Sequence, residues 1–214
     1  MHIVITGAGR GIGQTLAARY RAAGNQVSGT ARDGSETVRL DVTDAAQQAD
    51  MAQALAGQAV DLLVCNAGVY LDKGQGVDDG YPPQMWADTF AANVTGVFLT
   101  VQALLPNLRL SAQPRIAIIS SQMASQNRAP GGSYIYRSSK AAALNLGRNL
   151  ATDLRGDGIA VGIYHPGWVQ TDMGGSAADI GVDEAAAGLV ARFDALSLDT
   201  TGCFETWDGR AHAF

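Results

Sequence analysis

His2-Ile3-Val4-Ile5-Thr6-Gly7-Ala8-Gly9-Arg10-Gly11-Ile12-Gly13 stands at the start of the chain, and its reading decides the fold. His2 to Ile5 is a short apolar, β-branched run, the glycines follow, and a helical segment extends from Gln14 to about Ala23, ended by Gly24-Asn25. The order is strand, glycine turn, helix. A nucleotide pyrophosphate needs backbone N–H groups at a helix N-terminus and no side chains blocking its approach, and glycines at this junction supply both. The spacing is Gly-x-x-x-Gly-x-Gly through Gly7, Gly11 and Gly13. It does not fit Gly-x-Gly-x-x-Gly, because Ile12 occupies the last position, and the absence of Gly-Lys-Ser/Thr excludes a P-loop.

Outward from this junction the same alternation continues. Gln26 to Ala31 reads as a second strand, followed by Arg32. In dinucleotide folds an acidic residue at this strand end bonds the adenosine ribose, whereas an arginine accommodates a 2′-phosphate. Arg32, with Arg10 inside the glycine turn as a second cation, favours NADP over NAD, and Asp33 leaves room for NAD. Thr37 to Asp44 is a short third strand running into a helix capped by Thr43 or Asp44; Asp41 at its end either bonds an adenine edge or is a turn residue. Val60 to Cys65 has the continuous apolar character of a central parallel strand and ends in the small residues Asn66-Ala67-Gly68. Tyr70 to Pro83, rich in Gly and Asp, reads as a surface loop, and Gln84 to Leu110 as one long helix with the polar Asn93 among its apolar residues. Asn93 is either a buried asparagine satisfied by main-chain groups or the holder of a backbone kink and a water.

Arg115 to Ser121 is another buried strand, which delivers the Ser120 and Ser121 hydroxyls to the sheet's carboxyl edge. A helix to about Asp153, a strand from Gly158 to Tyr164, a helix from Asp183 to about Phe193 and a strand from Cys203 to Trp207 complete the chain. The pattern predicts an α/β, doubly wound Rossmann-type parallel sheet with helices on both faces, in a single domain over residues 1–214 that carries both cofactor and substrate sites.

Composition narrows the classes of function. The formal net charge is -5 and the basic residues form no stripe, which argues against nucleic acid as a partner. A strand-like run starts at His2 without a signal sequence, and no later apolar stretch is read as long enough to span a bilayer, so a soluble cytoplasmic protein is expected. Cys65 and Cys203 lie far apart in strand-like runs and in no metal-ligand spacing; buried free thiols are expected, and no metal site.

Tyr136 and Lys140, taken alone, read as a packed tyrosine and a lysine reaching into water; beside the other motifs of the chain they read as a catalytic pair. Their i, i+4 spacing puts phenol and ammonium on one helical face, and a fixed cation beside a phenol favours the phenolate, so Tyr136 is expected to exchange a proton near neutrality. Tyr134 falls well off that face.

The glycine turn, Asn66-Ala67-Gly68, Asn93, Ser120-Ser121, Tyr136-x-x-x-Lys140 and Pro166-Gly167, in this order, make the chain resemble the short-chain dehydrogenase/reductase family nearly end to end. Within it, Tyr136-Arg137-Ser138-Ser139-Lys140 and His165 to Met173 are similar to the C-factor-like group. The resemblance implies Tyr136 as general acid or base, Lys140 lowering its pKa and bonding the nicotinamide ribose, Ser121 bonding the substrate oxygen, and Asn93 holding a water on a proton path. It also places the Ile12 N–H on the pyrophosphate, Asp41 and Val42 at the adenine, Val169 and Thr171 beside the nicotinamide amide, and implies a homodimer or homotetramer. The segment from Ser121 to Tyr136 is two residues longer than the family's common spacing, which keeps Ser120 open; Tyr134 falls where the tyrosine would be if counted from Ser121, but Lys140 fixes Tyr136 as its partner. The implied activity is hydride transfer between NADP and a carbonyl or secondary alcohol. A nucleotide-binding signalling protein without turnover is the alternative. A dehydratase or epimerase would normally carry a larger C-terminal domain.

Overall fold

A computed structural model describes residues 1–127 and 129–214. Among these residues seven parallel strands form one sheet in the order β3-β2-β1-β4-β5-β6-β7. The strands are β1 (His2–Ile5), β2 (Gln26–Ala31), β3 (Val38–Arg39), β4 (Leu62–Cys65), β5 (Arg115–Ile119), β6 (Ala160–His165) and β7 (Phe204–Thr206). The helices are α1 (Gly11–Ala22), α2 (Ala45–Ala54), α3 (Pro83–Phe90), α4 (Gly96–Leu108), α5 (Tyr134–Asp153) and α6 (Val182–Ala195). β1 pairs with β2 on one side and β4 on the other, so the strand order reverses beside β1 and opens a crevice at the carboxyl ends there.

Alternation along each strand feeds two cores. Ile3, Ile5, Leu62 and Val64 point to the face covered by Leu16 and Ala17 of α1 and Leu189 and Phe193 of α6. Val4, Leu63, Ile116 and Ile118 point to the other, against Met51 of α2, Val101 and Leu104 of α4 and Leu150 of α5. Because both faces are covered, β4 and β6 are buried throughout, which is why Leu62–Cys65 is an unbroken apolar run.

The expected helix over Gln84 to Leu110 is broken in the middle. Ala91–Thr95 forms a π-helical turn between α3 and α4, and Asn93 sits inside it. Taken end to end, Pro83–Leu108 is long and apolar enough to cross a membrane, contrary to the sequence expectation. Here Val97, Val101, Leu104 and Leu108 are buried in the core against the sheet, which accounts for the apolar composition.

α5 approaches the sheet closely at Gly147. A Cβ there would stand 2.6 Å from Ile163 Cγ1 and 3.1 Å from Ile118 Cδ1. Gly147→Val is therefore expected to overpack this contact and cost about 1–3 kcal/mol in urea unfolding; an unchanged midpoint and slope would show that α5 does not rest on the strands at this point.

Candidate active site

Thr6 and Asn66, at the ends of β1 and β4, lock the crevice. The Thr6 hydroxyl oxygen accepts from the N–H groups of Asn66 and Ala67, each at 3.0 Å. Asn66 Nδ2 donates to the carbonyls of Thr6 (3.0 Å) and Gly7 (3.1 Å), so the glycine turn is pinned from the neighbouring strand. Gly13 then packs so tightly that a Cβ would lie 2.3 Å from the Gly7 carbonyl oxygen. Gly11, with φ +56°, starts α1, and no side chain caps the helix's first turn. The first-turn N–H groups of α1, that of Ile12 among them, carry no side-chain cap, and at Gly13 only glycine fits between Gly7 and Asn66. These features fit a nucleotide pyrophosphate.

The other expected nucleotide contacts are placed as follows. Arg10 pairs with Asp172 at 3.0 Å, both well exposed, which joins the glycine turn to the loop after β6. Arg32 follows β2 at the surface, while the Asp33 carboxylate is held by the N–H and hydroxyl of Ser35, which keep its pKa below the usual range. Asp41 Oδ1 accepts from the N–H (3.0 Å) and hydroxyl (2.8 Å) of Thr43, the turn role rather than a free side chain. Val42 turns its side chain into the core. A Cβ at Gly68 would stand 3.0 Å from Asn93 Oδ1 and 3.5 Å from Lys140 Nζ. Pro166 and Gly167 follow β6, Gly167 with φ +92°, and Val169 is buried behind them. The Thr171 side chain lies 3.5 Å from where a Gly11 Cβ would be, so this loop reaches the glycine turn.

The reactive side chains converge beyond the ends of β4 and β5. Tyr136 is buried and Tyr134 is 42% exposed, edge-on against Tyr81, which leaves Tyr136 as the tyrosine beside Lys140. The Lys140 ammonium lies 5.7 Å from the Tyr136 ring centroid and donates to the Ile119 carbonyl at 3.0 Å. The two serines separate: Ser120 Oγ donates to the Lys140 carbonyl at 3.0 Å, whereas Ser121 hydrogen-bonds the Tyr136 phenol. Asn93 satisfies both halves of its amide on Val69, accepting from its N–H (2.8 Å) and donating to its carbonyl (2.9 Å), and also donates to Ser139 Oγ. It thus ties the π-helical turn to the Gly68 segment and to α5.

Electrostatically the pair differs from the sequence expectation. Burial pushes the Tyr136 phenol up to about 12, opposed by the Ser121 hydrogen bond and reinforced by Tyr70 and Asp72. Lys140 is not among the groups that shift it. Burial instead lowers Lys140 to about 8. Desolvation dominates here, so the phenol is held protonated and available as a donor.

Two residues in the expected surface loop after β4 belong to this site. Asp72 is fully buried and its carboxylate accepts from the N–H groups of Ile135 (2.9 Å) and Tyr136 (3.2 Å), capping α5 from a distant segment. Tyr70 stacks on the Tyr136 ring at 4.2 Å between centroids and shares a 2.5 Å hydrogen bond with Ser133 Oγ. Neither has a local signal, because both contacts cross more than sixty residues.

This is a dinucleotide fold with a Ser-Tyr-Lys-Asn cluster at the carboxyl edge of its sheet. The short chain dehydrogenase pattern matches residues 1–179, and the chain belongs to the short-chain dehydrogenase/reductase family of NAD(P)-dependent enzymes. It is 38% identical over 154 residues to the C-signal of Myxococcus xanthus, covering 70% of this chain and 90% of that protein, in keeping with the C-factor-like resemblance. It is 34% identical over 192 residues to 2-(R)-hydroxypropyl-CoM dehydrogenase of Xanthobacter autotrophicus, covering 79% and 75%. The NADPH-bound carbonyl reductase from chicken fatty liver superimposes with a TM-score of 0.91 at 30% identity, covering 100% of this chain and 98% of its own.

Two substitutions test the site's physics. A lysine whose folded pKa falls from 10.5 to about 8 costs stability at pH 7, and that cost disappears as pH rises through 8 to 10.5. Lys140→Met should therefore be about 1–3 kcal/mol more stable than the parent at pH 7, with the gap closing towards pH 10; equal stability at pH 7 would mean that the ammonium is not desolvated. Asp72→Ala strands two buried N–H groups and should lose about 2–3 kcal/mol in the same assay.

Proposed function

We propose that the protein is an NADPH-dependent carbonyl reductase. The observation that carries this reading is the buried Tyr136 phenol, held protonated beside Ser121 and over Lys140 at the edge where the dinucleotide cradle ends. Bound along that cradle, the nicotinamide supplies a hydride to a carbonyl carbon, or accepts one from a secondary alcohol. Tyr136 donates its proton to the developing alkoxide, and Ser121 hydrogen-bonds the same oxygen. Lys140 bonds the nicotinamide ribose beside the phenolate left after transfer. Asn93 holds the π-helical turn and a water through which that phenolate is reprotonated. Ile12 N–H meets the pyrophosphate, Val42 and Asp41 border the adenine, and Val169 and Thr171 border the nicotinamide amide. Arg10 and Arg32 select NADP by binding its 2′-phosphate, Arg10 by leaving Asp172. One domain thus carries both sites.

The free Cys65 and Cys203 thiols support a reducing, cytoplasmic setting. The exposed Phe98 on α4 supports a homodimer or homotetramer built on α4 and α5. The similarity to the C-signal supports a second reading, nucleotide-dependent signalling without turnover.

Titration with NADPH and NADH, followed by absorbance at the nicotinamide band with aldehydes, ketones and diketones, separates the two. The reductase reading expects tighter NADPH binding and its oxidation by a panel member, with Tyr136→Phe lowering turnover about 10²–10⁴-fold while cofactor affinity stays within about threefold. Binding without oxidation by any panel member would favour the signalling reading.

A further inference from the structure

Arg137 directly follows Tyr136 on α5, and nothing in the site described so far uses its guanidinium. Its Nε is buried and finds no hydrogen-bond partner among the described residues. Among the described residues no carboxylate forms an ion pair with it. With Gln122, Met123, Ala129 and Pro130, Arg137 lines a cavity of about 340 Å³. Gln122 and Met123 are the residues after Ser121, so the cavity is bordered by the immediate neighbours of both groups proposed to hold the substrate oxygen.

Arg137 is half-buried, and the part of its guanidinium beside Met123, Ala129 and Pro130, with Gln122 as the one uncharged polar neighbour in the lining, loses hydration that a cation ordinarily recovers through a carboxylate or a carbonyl oxygen. An orphaned buried N–H in a native structure calls for an account. A guanidinium presents parallel N–H groups that match an oxyanion, and low-polarity walls strengthen that attraction. The volume suits the charged end of a small molecule whose carbonyl lies at Tyr136.

We propose, resting on the reductase reading, that Arg137 is a specificity-determining residue and that the carbonyl substrate carries an oxyanion, a carboxylate or phosphate, which this guanidinium binds. Neutral ketones fill the reactive position without this anchor and are the poorer substrates.

The test uses oxo carboxylates of graded chain length, their methyl esters, and oxo phosphates with their uncharged alcohols. Both NADPH oxidation and calorimetric titration into the protein–NADPH mixture are followed. The parent protein should favour a charged compound over its neutral counterpart by on the order of 10–100-fold in kcat/KM. Arg137→Met should erase that preference through KM, leaving the neutral compounds and NADPH affinity unchanged, and Arg137→Lys should restore part of it. Which charged series wins identifies the oxyanion. Equal handling of charged and neutral compounds by the parent protein, or an equal loss for both in Arg137→Met, would overturn the proposal. Failure of the reductase reading looks different: no compound oxidises NADPH. The calorimetric arm then decides the anion site, since charged-compound binding lost in Arg137→Met supports it and no such binding refutes it.

Discussion

A buried ammonium that no carboxylate among the described residues pairs with is the constraint on which the rest of the structure depends. Lys140 Nζ is held on the Ile119 carbonyl, beneath Tyr136 and close to Gly68. Keeping a cation there costs stability, and several unrelated elements combine to hold it. Gly147 lets α5 settle onto β5 and β6, Ser120 ties the Lys140 carbonyl to the end of β5, Ser139 takes a hydrogen bond from Asn93, and Asp72 fixes the first turn of α5. The helix is thereby clamped from the strand below, the kinked helix at its side and the loop at its tip. A site built this way has its reacting groups in place before any ligand arrives, which is where an active site gains most from its fold.

The second half of the arrangement is the lock between Thr6 and Asn66. It joins the two strands at which the sheet order reverses, so the glycine turn and the Asn66–Gly68 segment are hydrogen-bonded to each other. Gly68 lies against Asn93 and Lys140, and Gly13 lies against Asn66. The nucleotide cradle and the Tyr-Lys pair therefore share a wall. Under the proposed function, that shared wall is a physical reason for one domain to serve both binding and chemistry.

The strand and helix alternation, the glycine turn and the Tyr136–Lys140 face were legible in the sequence because each is local: period-2 and period-3.6 patterns and an i, i+4 spacing carry them. The same i, i+4 face set Tyr136 apart from Tyr134, but the separation of Ser120 from Ser121 was not legible, since it depends on which hydroxyl meets α5. Asp72 and Tyr70 were hidden for the same reason. An acidic residue capping a helix more than sixty positions away leaves no signature in a Gly- and Asp-rich loop. The protonation of Tyr136 was misread because spacing reveals the neighbouring cation but not the depth of burial, and depth decided the balance. The π-helical turn escaped because its apolar residues keep a helical rhythm on both sides of Asn93.

The most direct measurement of the account is isotope transfer. NADPH deuterated at the reactive face of nicotinamide C4 would be incubated with the protein and the carbonyl panel, and the alcohols analysed by mass spectrometry. The account predicts alcohol carrying one deuterium at the carbinol carbon, formed by the parent protein and reduced at least a hundredfold in Tyr136→Phe. Bound NADPH with no deuterated alcohol from any carbonyl would contradict it.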